Sequence, residues 1–367
     1  FGNLHSPPCI RKAVVDAVEA GTHNGYCHSA GIVPAREAIA KAATLPNIEV
    51  TADDVVIANG ASGALDLAIG AVCNPGDNFL VPLPGFSLYE TLAASKGVTV
   101  RHYRLNPERS WEVDLEHLES LINSRTAAIL LNNPSNPCGS VYSEEHLRAI
   151  LAVAERHRVP IIADEIYGNL VFGDNKFFPL ASLTETVPII SVSGMAKIFM
   201  VPGWRIGWCV VYDRRDALSE IRTALFKMSQ LILGACHIAQ AAIPVAMGPD
   251  EEAAREIKDT FEANRAELEK NAAFTAEQLA KIPGLHTIVP QGAMYVMVGL
   301  VDGAFEGISD DREFCQALLT EESVFALPGQ CFGMNNYFRV VFCAPQEKLA
   351  LAFERMAAFC ARRYTKK

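Results

Sequence analysis

A chain of 367 residues with 50% hydrophobic and 20% charged side chains has a globular composition and buries a large core without metal or disulfide staples. Its 32 Lys and Arg against 42 Asp and Glu give a formal charge of −10, which argues against a nucleic-acid-binding surface and against a polybasic membrane anchor. Ten cysteines are scattered without a Cys-x-x-Cys pair, and no Asn-x-Ser/Thr site with x other than proline occurs; this is the usage of reduced thiols in a cytosol-like, cytoplasmic compartment.

Between about residues 53 and 212, apolar runs rich in branched side chains alternate with helical patterns. The runs predict strands over 55–58, 79–81, 99–103, 127–131, 159–163, 188–192 and 206–211. Helical spacing over 62–73, 115–122 and 144–156 separates several of them. The alternation predicts an α/β fold with a mostly parallel, seven-stranded sheet covered by helices. Residues 228–249 carry no Asp, Glu, Lys or Arg. That length spans a bilayer, but Gln230, His237, Gln240 and Pro244 favour a helix buried in the protein or at a subunit interface. After about residue 250 one long charged, amphipathic helix is expected over 251–281, then short strands at 294–298, 324–326 and 338–342, and a closing helix over 346–362. These features divide the chain into a large domain, 12–255, and a smaller α+β domain, 256–367, with residues 1–11 packing on the smaller one.

Ligands in open α/β sheets bind beyond the C-terminal ends of the strands. After the first run come Asn59, Gly60, Ala61, Ser62 and Gly63. Small residues opening a helix make an anion site from backbone N–H groups, or simply a packed turn. No Gly-x-x-x-x-Gly-Lys-Ser/Thr and no Gly-x-Gly-x-x-Gly is present, which disfavours nucleotide triphosphates and dinucleotides. The fourth run leads into the amide-rich turn 132–139, and the fifth into Asp164-Glu165-Ile166-Tyr167. An aspartate there is costly unless paired, as a cap or salt bridge would also achieve. The sixth run leads into Ser193-Gly194-Met195-Ala196-Lys197, and buried lysines form Schiff bases. Arg205 follows within Gly203-Trp204-Arg205-Ile206-Gly207. His23, Cys27 and His28 lie close together but fit no standard zinc spacing, so no metal is expected.

The series Asn-Pro-x-Asn-Pro-x-Gly, Asp-x-x-Tyr, Ser-Gly-x-Ala-Lys and Gly-Trp-Arg-x-Gly, in this order, resembles the fold-type I pyridoxal-phosphate aminotransferases of class I/II. The resemblance covers essentially the whole chain. It implies pyridoxal 5'-phosphate as cofactor, with Lys197 forming the Schiff base and acting as general acid and base. It implies that Asp164 faces the pyridine nitrogen, that Asn136 and Tyr167 bind the phenolic oxygen, and that Gly60, Ala61, Ser62 and Arg205 hold the phosphate. Phe86 would stack on the ring, and Arg339 would bind the substrate α-carboxylate in a bidentate fork, near Asn136. Tyr26 would reach the phosphate of a neighbouring subunit, making a homodimer with a shared active site. Many members carry a phosphate-binding serine where this chain has Gly194, so Ser193, one step earlier, is an open candidate.

Residues 81–93, 132–141, 163–168 and 201–208, with Gly292-Ala293-Met294-Tyr295, look closest to the tyrosine aminotransferase subgroup. That implies ping-pong transfer from an aromatic L-amino acid to a 2-oxo acid such as 2-oxoglutarate. No arginine occurs near Gln230, where dicarboxylate specialists carry a second one. An alanine or broad-range aminotransferase and a carbon–sulfur β-lyase are the alternatives on the same fold. Small molecules are the expected partners, not nucleic acid or membrane.

Overall fold

A computed structural model describes residues 2–46 and 48–365. All seven apolar runs form strands: β1 (Val55–Asn59), β2 (Asn78–Leu83), β3 (Thr99–Asn106), β5 (Thr126–Asn132), β6 (Ile161–Asp164), β7 (Ile189–Gly194) and β8 (Ile206–Tyr212). An eighth strand, β4 (Glu112–Val113), was not expected, so the sheet is eight-stranded rather than seven-stranded. With two residues, it has no periodicity to read; it exists by pairing with the end of β3. The spatial order is β1-β8-β7-β6-β5-β2-β3-β4. The pairs from β3 through β2, β5 and β6 to β7 are parallel, whereas β8 runs antiparallel to both β1 and β7.

Continuous apolar runs belong to strands buried on both faces. Here alternation sends Ile57, Leu80, Ile129, Ile161 and Ile189 to one face, and Val56, Phe79, Leu130, Ile162 and Ile190 to the other. The helices Val33–Ala43 and Glu144–His157 cover the first face through Ile39, Leu147 and Ile150. The helices Gly60–Val72 and Leu88–Ser95 cover the second through Leu65, Ile69 and Tyr89.

The charge-free segment is not one helix. It breaks into the end of helix Ser219–Ser229, an exposed turn at residues 231–233, and the short helices His237–Gln240 and Ala242–Met247. No helix among the described residues is long and apolar enough to cross a membrane.

A second sheet is antiparallel, with order β11-β12-β10-β9, from β9 (Leu285–Thr287), β10 (Tyr295–Leu300), β11 (Leu327–Pro328) and β12 (Tyr337–Val341). The expected strand at 324–326 does not pair; bridging starts at Leu327. The long helix Glu251–Ala280 begins where the Asp250 carboxylate accepts the Ala253 N–H at 2.9 Å. Leu268, Ala272 and Leu279 on it pack with Phe314, Phe338 and Phe359 beneath this sheet. The closing helix runs Gln346–Arg363. Near the N-terminus, Leu4 packs on the small-sheet cluster, whereas Ile10 enters the cluster of the large sheet.

One close approach sets the geometry at the sheet's C-terminal edge. A Cβ on Gly207 of β8 would lie 2.3 Å from the Ala61 nitrogen, so the strand and the first turn of helix Gly60–Val72 touch backbone to backbone. Gly207→Ala is therefore expected to lose about 1–3 kcal/mol in urea unfolding. Gly203→Ala, where an added Cβ meets nothing within 4 Å, is the control and should unfold at the wild-type midpoint.

Candidate active site

Strand β6 ends in Asp164, and alternation turns its carboxylate to the face of Ile162, under Tyr89. The Tyr89 hydroxyl donates to Oδ2 at 2.7 Å and the Ile166 N–H to Oδ1 at 3.2 Å. Burial pushes the carboxyl up to about 6, against these two bonds and the Lys197 ammonium, which favour its ionised form. The neighbouring β7 leads directly into the four-residue helix Met195–Ile198, which carries Lys197. The Lys197 Nζ lies 5.5 Å from the centroid of the Tyr167 ring.

Beside the lysine is an anion cradle. Helix Gly60–Val72 opens with first-turn N–H groups that have no intrahelical partner, the arrangement that attracts phosphate. Gly60 has φ +75°, and a Cβ there would lie 2.5 Å from Arg205 Nη2, so only glycine lets the guanidinium close on the turn. Arg205 donates to the Pro202 carbonyl at 3.1 Å, which fixes its side chain over the helix start.

The opposite wall comes from the turn after β5 and from the small sheet. Asn132 donates to the Asp164 carbonyl at 3.1 Å and accepts the Asn136 N–H at 2.8 Å, tying the turn to the end of β6. Asn136 Oδ1 accepts from Arg339 Nη1 at 2.8 Å, leaving the amide NH2 to donate. The Arg339 guanidinium lies 4.4 Å from the Tyr295 ring centroid and 4.7 Å from that of Phe332. Its Nε is buried without a hydrogen-bond partner among the described residues. Tyr295 and Tyr167 join hydroxyl to hydroxyl at 2.9 Å.

Ala61, Ser62, Phe86, Asn136, Asp164, Tyr167, Lys197, Arg205 and Arg339 thus surround one cavity of about 280 Å³, with Gly60 beneath Arg205. Two expected residues are not gathered there. Ser193 shares the strand face of Ile189 and Ser191, opposite Val192, and does not line the cavity. Tyr26 is 92% exposed and contributes nothing to the cavity of its own chain. Tyr89, Tyr295 and Asn132 also line the cavity; the sequence places all three in segments that carry the family resemblance but gives none of them a site role. Tyr89 and Tyr295 sit at helix and strand positions where an aromatic residue reads as core. Asn132 lies in the amide-rich turn, where nothing singles it out from its neighbours.

Residues 1–356 match the family described as Aminotransferase class I and II. The chain belongs to that family. A tyrosine aminotransferase of Mus musculus is 46% identical over 365 residues, which are 99% of this chain and 79% of that protein. The solved structure of the tyrosine aminotransferase from Leishmania infantum superposes with TM-score 0.94 at 33% identity, covering 99% of this chain and 89% of that one. An alanine aminotransferase from Pyrococcus furiosus gives TM-score 0.92 at 31% identity, over 99% and 90% of the two chains. This aminotransferase is therefore an enzyme that transfers nitrogenous groups, and its cofactor is pyridoxal 5'-phosphate. The cavity fits that group. It pairs an anion cradle with a buried carboxylate whose ionised form needs a cation, and Lys197 lines it from the short helix that follows β7. Its volume is near the lower end of small-ligand cavities, about 300 Å³.

Behind Asp164, Glu165 turns to the opposite face of the strand. It accepts the Leu180 N–H at 2.8 Å and the Ser191 hydroxyl at 2.6 Å. Burial pushes its carboxyl up to about 7, and Asp164 adds to the rise. A raised carboxyl binds its proton more tightly in the folded state, so stability falls as pH rises from the ordinary value of 4.5 to about 7. Cofactor-free Glu165→Gln, which keeps the shape without the charge, should be more stable than wild type at pH 8 by up to roughly 3 kcal/mol. In urea unfolding the difference should vanish near pH 4.

Proposed function

We propose that the enzyme transaminates L-tyrosine and related aromatic amino acids with a 2-oxo acid such as 2-oxoglutarate. The observation that carries the reading is the convergence of Lys197, Asp164 and Arg339 on one cavity in a chain 46% identical to a tyrosine aminotransferase. When bound, pyridoxal phosphate supplies an electron-poor ring that takes up the electron pair left when an amino acid loses its Cα proton. In this reading Lys197 holds the cofactor, and its amine then takes the Cα proton and returns it one position away. Asp164 accepts a hydrogen bond from the ring nitrogen, and that contact turns the burial of its negative charge from a penalty into an attraction. Gly60, Ala61, Ser62 and Arg205 hold the phosphate, and Phe86 lies against the ring. Asn136 and Tyr167 donate to the phenolic oxygen. Arg339, which lines the cavity, takes the substrate α-carboxylate.

The test is a half-reaction. L-Tyrosine added to the holoenzyme without a 2-oxo acid should convert the visible absorbance of the bound cofactor and release stoichiometric 4-hydroxyphenylpyruvate. L-Alanine should be a poorer donor. Lys197→Ala should still bind cofactor, non-covalently, and lose nearly all turnover. A tyrosine-inert holoenzyme that is converted by alanine or by a thioether amino acid would overturn the donor assignment.

The same reading makes the enzyme a homodimer with shared active sites. Its support is a surface that one chain leaves uncovered. Tyr26 is 92% exposed, and Leu231 and Ile232 are 80% and 63% exposed. The two segments lie together, because Ser229 Oγ bonds Ser29 Oγ at 2.9 Å and His237 Nδ1 lies 2.9 Å from the Gly25 carbonyl. Ten unpaired cysteines fit the cytosol-like compartment expected from the sequence. Leu231→Asp with Ile232→Asp should sediment as a monomer and bind cofactor roughly tenfold more weakly, by about 1.4 kcal/mol.

A further inference from the structure

Tyr295 has no role in the reading above, yet it touches both groups that would address the cofactor and the substrate. On the small sheet Tyr295 of β10 pairs with Val341 of β12, and Met297 with Arg339. Tyr295 and Arg339 are therefore diagonal neighbours on one sheet face, within reach of long side chains. The ring of Tyr295 lies under the guanidinium, 4.4 Å from centroid to Cζ. Its hydroxyl meets that of Tyr167 at 2.9 Å, with the two rings edge to face at 5.7 Å. Tyr295 is buried apart from the part of it that lines the cavity.

Two neutral phenols sharing one hydrogen bond have one proton between them and one left over. If Tyr167 donates to Tyr295, its proton is used and it cannot donate to a ligand. If Tyr295 donates, the Tyr167 proton is free, and accepting a bond makes Tyr167 a stronger donor. The cation against the Tyr295 ring decides between them. A guanidinium over the face draws electron density from the ring and makes its O–H the better donor.

We propose that Tyr295 is a positioning residue of the active site: its hydroxyl donates to Tyr167, which aims the Tyr167 proton at the cofactor's phenolic oxygen, while its ring forms the shelf for the carboxylate-binding Arg339. One aromatic residue then links the substrate clamp to the proton affinity at Lys197. A donor at the phenolic oxygen draws negative charge away from the Lys197 nitrogen and loosens that nitrogen's hold on its proton. The proposal rests on the cofactor reading above.

The two halves separate in Tyr295→Phe and Tyr295→Leu holoenzymes. The first readout is the pH midpoint of the bound cofactor's visible band, without substrate. The second is the dissociation constant of 3-phenylpropionate, an aromatic monocarboxylate that cannot react. Tyr295→Phe should raise the midpoint by about half a pH unit, a threefold tighter hold on the proton, and leave 3-phenylpropionate binding as in wild type. Tyr295→Leu should raise the midpoint equally and weaken 3-phenylpropionate about fivefold. A midpoint in Tyr295→Phe that falls means that Tyr167 was the donor, and one that stays put means that the pair is idle; either overturns the ordering. Wild-type affinity for 3-phenylpropionate in a folded Tyr295→Leu overturns the shelf. If Tyr295→Leu fails to fold, Tyr295→Phe still decides the ordering. A wild-type holoenzyme with no titrating visible band overturns the cofactor reading itself, a result distinct from all of these.

Discussion

Burying a carboxylate at the end of a strand in the middle of a parallel sheet is the constraint on which the rest of the site depends. Asp164 has sheet neighbours on both sides, β5 and β7, and apolar residues above and below. Left alone there, it would take up a proton or destabilise the fold. Three features oppose this: a phenol from helix Leu88–Ser95, a backbone N–H from its own turn, and a lysine at the end of the next strand. Each comes from an element already fixed by the sheet. Parallel order matters here, because it brings the ends of β5, β6 and β7 to the same edge, so amide, carboxylate and amine lie within one cavity.

The second sheet contributes what the first cannot. Arg339 is 203 residues from Asn136 in sequence, and their 2.8 Å bond joins the antiparallel sheet to the amide turn. Sandwiched between Tyr295 and Phe332, the guanidinium of half-buried Arg339 is partly desolvated, and a carboxylate arriving there meets a cation less screened than one in bulk water. The Asp311 carboxylate, wholly buried, accepts the backbone N–H groups of Gln330 and Asn336 and fixes the loop that carries Phe332. The small sheet thus presents Arg339, together with Tyr295, to the cavity.

Much of this was legible because buried parallel strands and long amphipathic helices leave strong periodic signals. The seven apolar runs and the long helix are of this kind. What escaped was short or set by tertiary contact. β4 and β9 have two and three residues, and their pairing lies in the partner strand, not in their own composition. At 324–326 a short apolar run exists, but the sheet edge takes Leu327 and Pro328 instead. Within the site, residues with an unusual position for their charge, such as Lys197 and Asp164, stood out in the sequence. Tyr89 and Tyr295 did not, since a buried phenol is apolar in every pattern and becomes polar only through the partner its hydroxyl meets. Ser193 is the opposite case: proximity to the lysine in sequence makes it a candidate, but strand alternation places it on the face away from the cavity.

Asp164 and Glu165 show how adjacent residues of one type acquire different electrostatic tasks. Consecutive residues leaving a strand point to opposite faces, so the two carboxyls have the backbone between them and share no ligand. Each raises the energy of ionising the other, as the upward push of Asp164 on Glu165 shows. The face of Glu165 offers it a backbone N–H and a serine hydroxyl. The negative charge therefore settles more readily on Asp164, whose carboxyl is pushed only to about 6 against about 7 for Glu165. A neutral Glu165 still closes the loop at Leu180 and holds Ser191 of β7, the strand that delivers Lys197. Below about pH 7, where Glu165 keeps its proton, it spares Asp164 a like charge at the one position where the site needs an anion.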